Sequence, residues 1–290
     1  MDKFIVTTDS GCDLPLSFCS SRGIIPLKMT YAIGDESFTD TMDPKDLKAF
    51  YDGMRSGAAP KTSQVTPYQF TEFWTPLLER KLPIVHIALG SGISGTWASA
   101  VSAVEMIKQD FPDADIRVVD STLASVGYGM LAIRAADMRD GGSTAEECQA
   151  ELEKIKGNVN TYYTTGDLTY LYRSGRVSRT GMTIAHALNI WPILNLDLDG
   201  HLIVQAKERG KKHTIDRIHK IIKELCVDPA GQTLYICHSD IAEEAEQFGE
   251  EIKAEFGFRD VFYTYIGTTI GSNCGPGLMA AFFFGKKRTN

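Results

Sequence analysis

Apolar positions along the first half of the chain fall into two alternating rhythms. Short dense runs at residues 4–8, 24–31, 83–89 and 116–120 predict strands, and longer segments at 44–55, 67–80 and 95–109 predict helices. Tyr68, Phe70, Phe73, Trp74, Leu77 and Leu78 share one face of the second of these helices. Asp43 before Pro44 is a cap followed by a favoured helix start. Such alternation predicts a mainly parallel α/β unit. A further helix covers 124–139, stops at Gly141-Gly142, and restarts after a capping box of Ser143 and Glu146.

Past Gly157-Asn158 the rhythm changes. Runs at 193–198 and 201–206 flank Asp199-Gly200, a hairpin signal, because glycine tolerates positive φ. Strands are predicted at 234–238 and 261–266, helices at 214–225 and 241–256, and 267–277 is a glycine-rich entry into an apolar helix. The expected fold class is α/β: an N-terminal mainly parallel α/β domain over 1–158 and a C-terminal α+β domain with antiparallel pairing over 159–290. The last helix is expected to pack back on the first domain.

Composition narrows the function. The 290 residues are 43% hydrophobic and 23% charged, an ordinary globular balance. Thirty Lys and Arg against 37 Asp and Glu leave a net charge of −7, which argues against general nucleic-acid binding. The longest apolar run, 278–284, falls far short of the ~20 residues that span a bilayer. Residues 1–9 lack a basic stretch followed by an apolar core. The six cysteines are scattered, with no Cys-x-x-Cys pair. They read as reduced thiols, with a cytoplasmic location, no structural metal and no stable membrane insertion expected.

The segment from Gly90 to Thr96 follows a strand and opens a helix, where free N–H groups and the positive end of the peptide dipole suit an anion. Ser94 and Thr96 either add hydroxyl donors or cap the helix. Gly90, Gly92 and Gly95 also satisfy G-x-G-x-x-G, with Asp120 ending the next strand, which sketches an NAD(P)-type oxidoreductase. Against it, the run follows the third strand, and Asp120 lies 25 residues past Gly95, beyond the usual ~20. The hydroxyl-rich loop fits a small anion better.

Lys61-Thr62-Ser63-Gln64, between Pro60 and Pro67, is a second hydroxyl loop: Thr62 either shares that anion or is a turn residue. Asp9-Ser10-Gly11-Cys12-Asp13 and Asp120-Ser121-Thr122 follow strands and are expected to support neighbouring loops. Tyr170 to Arg179 holds Arg173, Arg176 and Arg179, a local concession to negative charge in an acidic chain. Catalytic sets do not assemble: there is no G-x-S-x-G, no H-E-x-x-H and no Walker segment, and His238, Ser239 and Asp240 are merely adjacent. His86, His186, His201, His213 and His219 stand singly. A binding protein without a catalytic residue is expected.

Together the loops resemble the DegV family of bacterial fatty-acid-binding proteins. The matching signposts are Asp9-Ser10-Gly11-Cys12-Asp13-Leu14-Pro15, Lys61-Thr62-Ser63-Gln64, Ser91-Gly92-Ile93-Ser94-Gly95-Thr96, Val119-Asp120-Ser121, Arg173-Ser174-Gly175-Arg176-Val177-Ser178 and Gly271-Ser272-Asn273-Cys274-Gly275-Pro276-Gly277. The resemblance implies two α/β domains enclosing a long-chain fatty acid such as palmitate in a tunnel between them. It implies no cofactor, and lipid transport or fatty-acid metabolism as the role. It places the carboxylate on Thr62 and Ser94, with Ser63, Thr96, Asn273 and Arg173 around the head group or mouth. It also implies a fatty acid kinase as a partner, to which the bound acid is presented. The family's last motif commonly reads G-T-H-V-G-P-G, whereas Asn273 stands at the histidine. Asparagine hydrogen-bonds but cannot become cationic, which counts against the kinase role and leaves fatty-acid binding intact.

Overall fold

The computed structural model describes residues 3–177 and 189–289. Ser178, Arg179 and His186 lie outside the described residues. In chain order the strands are β1 (Ile5–Asp9), β2 (Ile24–Leu27), β3 (Thr30–Ile33), β4 (Glu36–Thr39), β5 (Lys61–Thr62), β6 (Ile84–Ala88) and β7 (Ile116–Asp120). Then come β8 (Val159–Thr164), β9 (Ile190–Leu196), β10 (Leu202–Arg209), β11 (Thr233–His238), β12 (Asp260–Tyr265) and β13 (Met279–Phe284).

The first half builds a four-stranded parallel sheet in the order β2-β1-β6-β7 and a three-stranded antiparallel sheet in the order β4-β3-β5. The second half builds a six-stranded sheet, β10-β9-β8-β13-β11-β12, antiparallel except where β11 and β12 run parallel. The class is therefore α/β with one parallel and two largely antiparallel sheets.

Several expectations need correction. The run 24–31 is two strands in two sheets. The Met29 N–H donates to Ser10 Oγ at 3.1 Å and turns the chain out of the parallel sheet. The glycine-rich segment at 267–277 does not open a helix; the helix, Thr268–Cys274, lies within it, and the apolar run beyond is the strand β13. Paired with both β8 and β11 and buried over Met279–Phe283, β13 needs apolar side chains on both faces. The capping box before Ala145–Ile155 is one residue later than expected, Thr144 with Glu147. Asp43 caps Pro44–Arg55 as expected, accepting from Lys45 N at 3.0 Å. The hairpin at Asp199-Gly200 also forms, with Gly200 at φ +84°.

The helix Val126–Asp140 has no solvent face over its first two turns: Val126 to Ile133 are all buried. Its Gly127 admits the Phe282 ring of β13, to which a Cβ would come within 3.2 Å. One helix thus serves both sheets, and the major apolar core runs continuously through Val6, Val85, Leu131, Tyr163, Leu194 and Phe282.

On the opposite face of the parallel sheet, His86 is fully buried with its ring edge against Phe70 and Trp74, centroids 5.2 Å from each. Nδ1 meets Thr7 Oγ1 at 3.0 Å, and burial pushes the imidazole pKa down to about 3. The folded state therefore rejects a proton that the unfolded chain accepts from about pH 6.5 downward. His86 alone makes stability fall as pH falls from 6.5 toward 3. The His86→Gln variant should be less stable than the parent at pH 7, and this gap should narrow at pH 4.5 in urea unfolding. An unchanged gap would refute the assignment.

Candidate functional site

The loops at the carboxyl ends of β6 and β7 are locked by carboxylates. Asp9 Oδ2 accepts from Leu89 N at 3.1 Å, while Asp120 Oδ1 accepts from Ser91 N at 3.0 Å and Thr122 N at 3.1 Å. The glycines of the G-x-G-x-x-G run are taken up by internal packing. A Cβ on Gly90 would lie 2.7 Å from Leu123 N, one on Gly92 2.4 Å from the Gly200 carbonyl carbon, and one on Gly95 2.0 Å from Gln64 Oε1. Chain, not a pyrophosphate, occupies the space the glycines open, and Asp120 holds two amides instead of a ribose.

A cavity of about 390 Å³ is lined by residues from both halves of the chain. Its walls carry Leu89, Ile93 and Ala124 from the first half and Tyr163, Leu194 and Leu196 from the second. Its polar lining comes from Thr62, Ser63, Gln64, Ser91, Ser94 and Asn273, with Arg176 beside them. The two hydroxyl loops, some 30 residues apart in sequence, therefore meet on one cavity.

The hydrogen bonds prepare these hydroxyls to donate. Asn273 Nδ2 donates to Thr62 Oγ1 at 3.3 Å and to Thr269 O at 2.8 Å. Thr96 N donates to Ser94 Oγ at 3.2 Å, and Thr96 Oγ1 lies 2.9 Å from it. Each oxygen accepts one hydrogen bond from a protein N–H, which leaves the Thr62 proton, and that of Ser94 when Thr96 Oγ1 donates to it, for a ligand. Ser94 thus does both things its sequence context allowed: it accepts from the first turn of the helix Thr96–Asp110 and it lines the cavity.

Thr62, Ser63, Ser94 and Asn273 come together on the cavity, and Thr96 backs Ser94 from a buried position without lining it. Arg173 and Arg176 are both exposed; Arg173 ends the helix Thr169–Arg173 and does not line the cavity, whereas Arg176 does. Burial holds the Arg176 guanidinium somewhat below its ordinary pKa, and its Nη1 donates to Ser174 O at 2.5 Å. The Arg-rich motif carried the signal, but not which of its arginines lines the cavity.

Ser125 was not singled out from sequence. It lines the cavity with φ +56° and ψ −148°, a conformation costly for a residue with a side chain. Its Oγ donates to Asp13 Oδ2 at 2.5 Å, and Asp13 Oδ1 accepts from Gly267 N at 2.8 Å. Burial raises the carboxyl pKa of Asp13 and of Asp40, and pushes Asp9 up to about 6. The Tyr128 hydroxyl donates to Asp9 at 2.5 Å and partly offsets that rise. His238 Nδ1 accepts from Ile241 N, Ser239 Oγ bonds Leu278, and Asp240 pairs with Arg55, so the three do not act together. Among the described residues, no group of three or more His, Cys, Asp or Glu is placed to hold a metal ion.

A family model described as an uncharacterised protein of the DegV family matches residues 3–286, and the chain belongs to that family. A DegV domain-containing protein of Clostridium perfringens is 35% identical over 286 residues, 98% of each chain. Among solved structures, DegV of Bacillus subtilis, described as a fatty acid binding protein, superposes with a TM-score of 0.84 at 28% identity. That match covers 99% of this chain and 100% of the other. A DegV lipid binding protein of Thermotoga maritima gives 0.85 at 26% identity, with coverage of 99% and 100%.

Proposed function

We propose that this protein binds a long-chain fatty acid such as palmitate, its tail in a tunnel between domains 1–158 and 159–290 and its carboxylate on Thr62 and Ser94. The observation that carries this reading is a largely apolar cavity in which two hydroxyls, each accepting from a protein N–H, line the wall together. The fatty-acid and lipid binding described for the Bacillus and Thermotoga proteins supports it. Asn273 takes the positioning part: by donating to Thr62 Oγ1 it points the threonine proton at the ligand. Arg176 adds positive charge at the polar side of the cavity, with Arg173 outside its lining.

The tail supplies most of the affinity. Burying about 14 methylenes at ~0.8 kcal/mol each gives a gross drive of about 11 kcal/mol before ordering costs. A charge-assisted hydrogen bond adds about 1.5–3 kcal/mol. The protein acts as a non-catalytic carrier in lipid transport or fatty-acid metabolism, with no cofactor and a cytoplasmic location. Presentation of the carboxylate to a fatty acid kinase is part of the proposal; neutral Asn273 can orient the head group but not exchange a proton with it. Among the described residues, no helix is long and apolar enough to cross a membrane.

Mass spectrometry of ligand extracted from gently purified protein should return a fatty acid. A nucleotide in its place, with no response to palmitate in titration, would overturn the reading. Ser94→Ala should weaken palmitate binding about tenfold, the loss of one charge-assisted hydrogen bond. Unchanged affinity in calorimetric titration would remove Ser94 from the head-group site.

A further inference from the structure

Arg288 lies two residues beyond the end of the family match, yet it is 4% exposed. Among the described residues no carboxylate is within ion-pair distance of it. Its Nη1 instead donates to the backbone carbonyls of Thr122 at 3.3 Å, Leu196 at 3.1 Å and Asp197 at 3.0 Å. Nη2 reaches Thr122 Oγ1 at 3.0 Å and Lys156 O at 3.5 Å, and the Arg288 N–H holds Gly157 O at 2.8 Å. One guanidinium therefore ties together the loop after β7, the end of β9 and the connection that leads from the first half into β8. The two terminal nitrogens of the planar guanidinium span these acceptors together, a reach the single ammonium of lysine does not match, while Nε has no partner among the described residues.

The tied segments are the cavity's own walls. Ala124 and Ser125 follow Thr122 directly, and Leu196 lines the cavity while its carbonyl accepts from Arg288. The two halves share one apolar core elsewhere, but across the cavity itself apolar contact forms only while a tail fills it, because an empty space contributes no dispersion or burial. The hydrogen bonds of Arg288 are the same whether the cavity is full or empty. We propose that Arg288 is an interdomain latch, a positioning residue that keeps the cavity walls closed in the ligand-free protein and slows release of the bound acyl chain. The part of this that concerns release rests on the fatty-acid reading above; the latch itself does not.

A protein whose closed form is only partly populated binds more weakly by that fraction and lets go faster. In Arg288→Met, release of a fluorescent fatty acid to albumin at a temperature well below melting should accelerate at least tenfold. Arg288→Lys, which keeps the charge but not the fork, should fall between. Hydrogen–deuterium exchange of both ligand-free variants should rise in residues 122–125 and 194–200, with the helix of residues 242–256 unchanged. A purely structural role would lower the melting temperature without this local pattern. If Arg288→Met fails to fold, Arg288→Lys decides alone. Wild-type release rates together with wild-type exchange in those two segments would overturn the latch. Should the parent hold no fatty acid, the carrier reading falls, and exchange in the ligand-free protein still decides on the latch.

Discussion

Replacing Ala124 with tryptophan is expected to weaken palmitate binding at least a hundredfold while leaving the fold intact or slightly more stable. Ala124 lines the cavity and is 7% exposed, so an indole there grows into existing space rather than into packed neighbours. A cavity of about 390 Å³ cannot hold both an indole and a full acyl tail. Excluding about four methylenes forfeits about 3 kcal/mol at ~0.8 kcal/mol each, a factor of about 100 in affinity. Filling a void in the free protein works in the opposite direction, adding contacts the empty wall lacks. The two readouts together are diagnostic: calorimetric titration should show lost binding, and thermal melting without ligand should show no lost stability. The effect should also exceed that of Ser94→Ala by about tenfold, because the tail outweighs the head group. An Ala124→Trp protein that binds palmitate as the parent does would show that the tail lies elsewhere.

The four-stranded parallel sheet was legible because its strands lie in short apolar runs with helices of clear periodicity between, whereas the small antiparallel sheet β4-β3-β5, with β4 exposed and β5 two residues long, was not. The second half was harder for identifiable reasons. β8 reads Val-Asn-Thr-Tyr-Tyr-Thr, polar in composition yet buried throughout. Such partners as its side chains have come only from the fold: Thr161 Oγ1 donates to Asn195 Oδ1 at 3.2 Å, and Asn160 Nδ2 to Lys286 O at 2.9 Å. The run in β13 is continuous rather than periodic, and burial on both faces erases the distinction between helix and strand; its three consecutive phenylalanines were the better guide. At the site, Thr62 and Ser94 stood out locally only as loop hydroxyls, and their shared role came from the family resemblance; both line the cavity. Ser125, Tyr163 and Arg288 could not be named, since their positions depend on segments from both halves meeting. Arg176 shows the limit of a motif: within Arg-Ser-Gly-Arg, local sequence does not say which guanidinium the backbone turns toward the cavity.

Gly92→Ala should damage the protein more than any other single methyl added to the hydroxyl loops, and the reason lies in what each glycine faces. A Cβ at position 92 would stand 2.4 Å from the Gly200 carbonyl carbon and 2.6 Å from Asp199 O, backbone atoms at the tip of the β9–β10 hairpin. That hairpin cannot yield at this point without moving as a body. Gly200 is itself in the left-handed region at φ +84°, seated 3.1 Å from Thr122 Cα by the Cβ it lacks. Overpacking of this kind costs about 1–3 kcal/mol. Here it would also shift Leu196 and Leu202, at the two ends of the hairpin loop, away from Ser94 across the cavity. Gly95→Ala makes the informative contrast, because its new methyl meets only the end of the Gln64 side chain, which can swing aside. Urea unfolding should therefore place Gly92→Ala well below Gly95→Ala in stability, with palmitate affinity in Gly92→Ala reduced more than tenfold. A phosphate-cradling glycine loop would show the reverse, small stability effects at all three positions and loss of nucleotide binding, so equal and mild destabilisation would count against the seam described here.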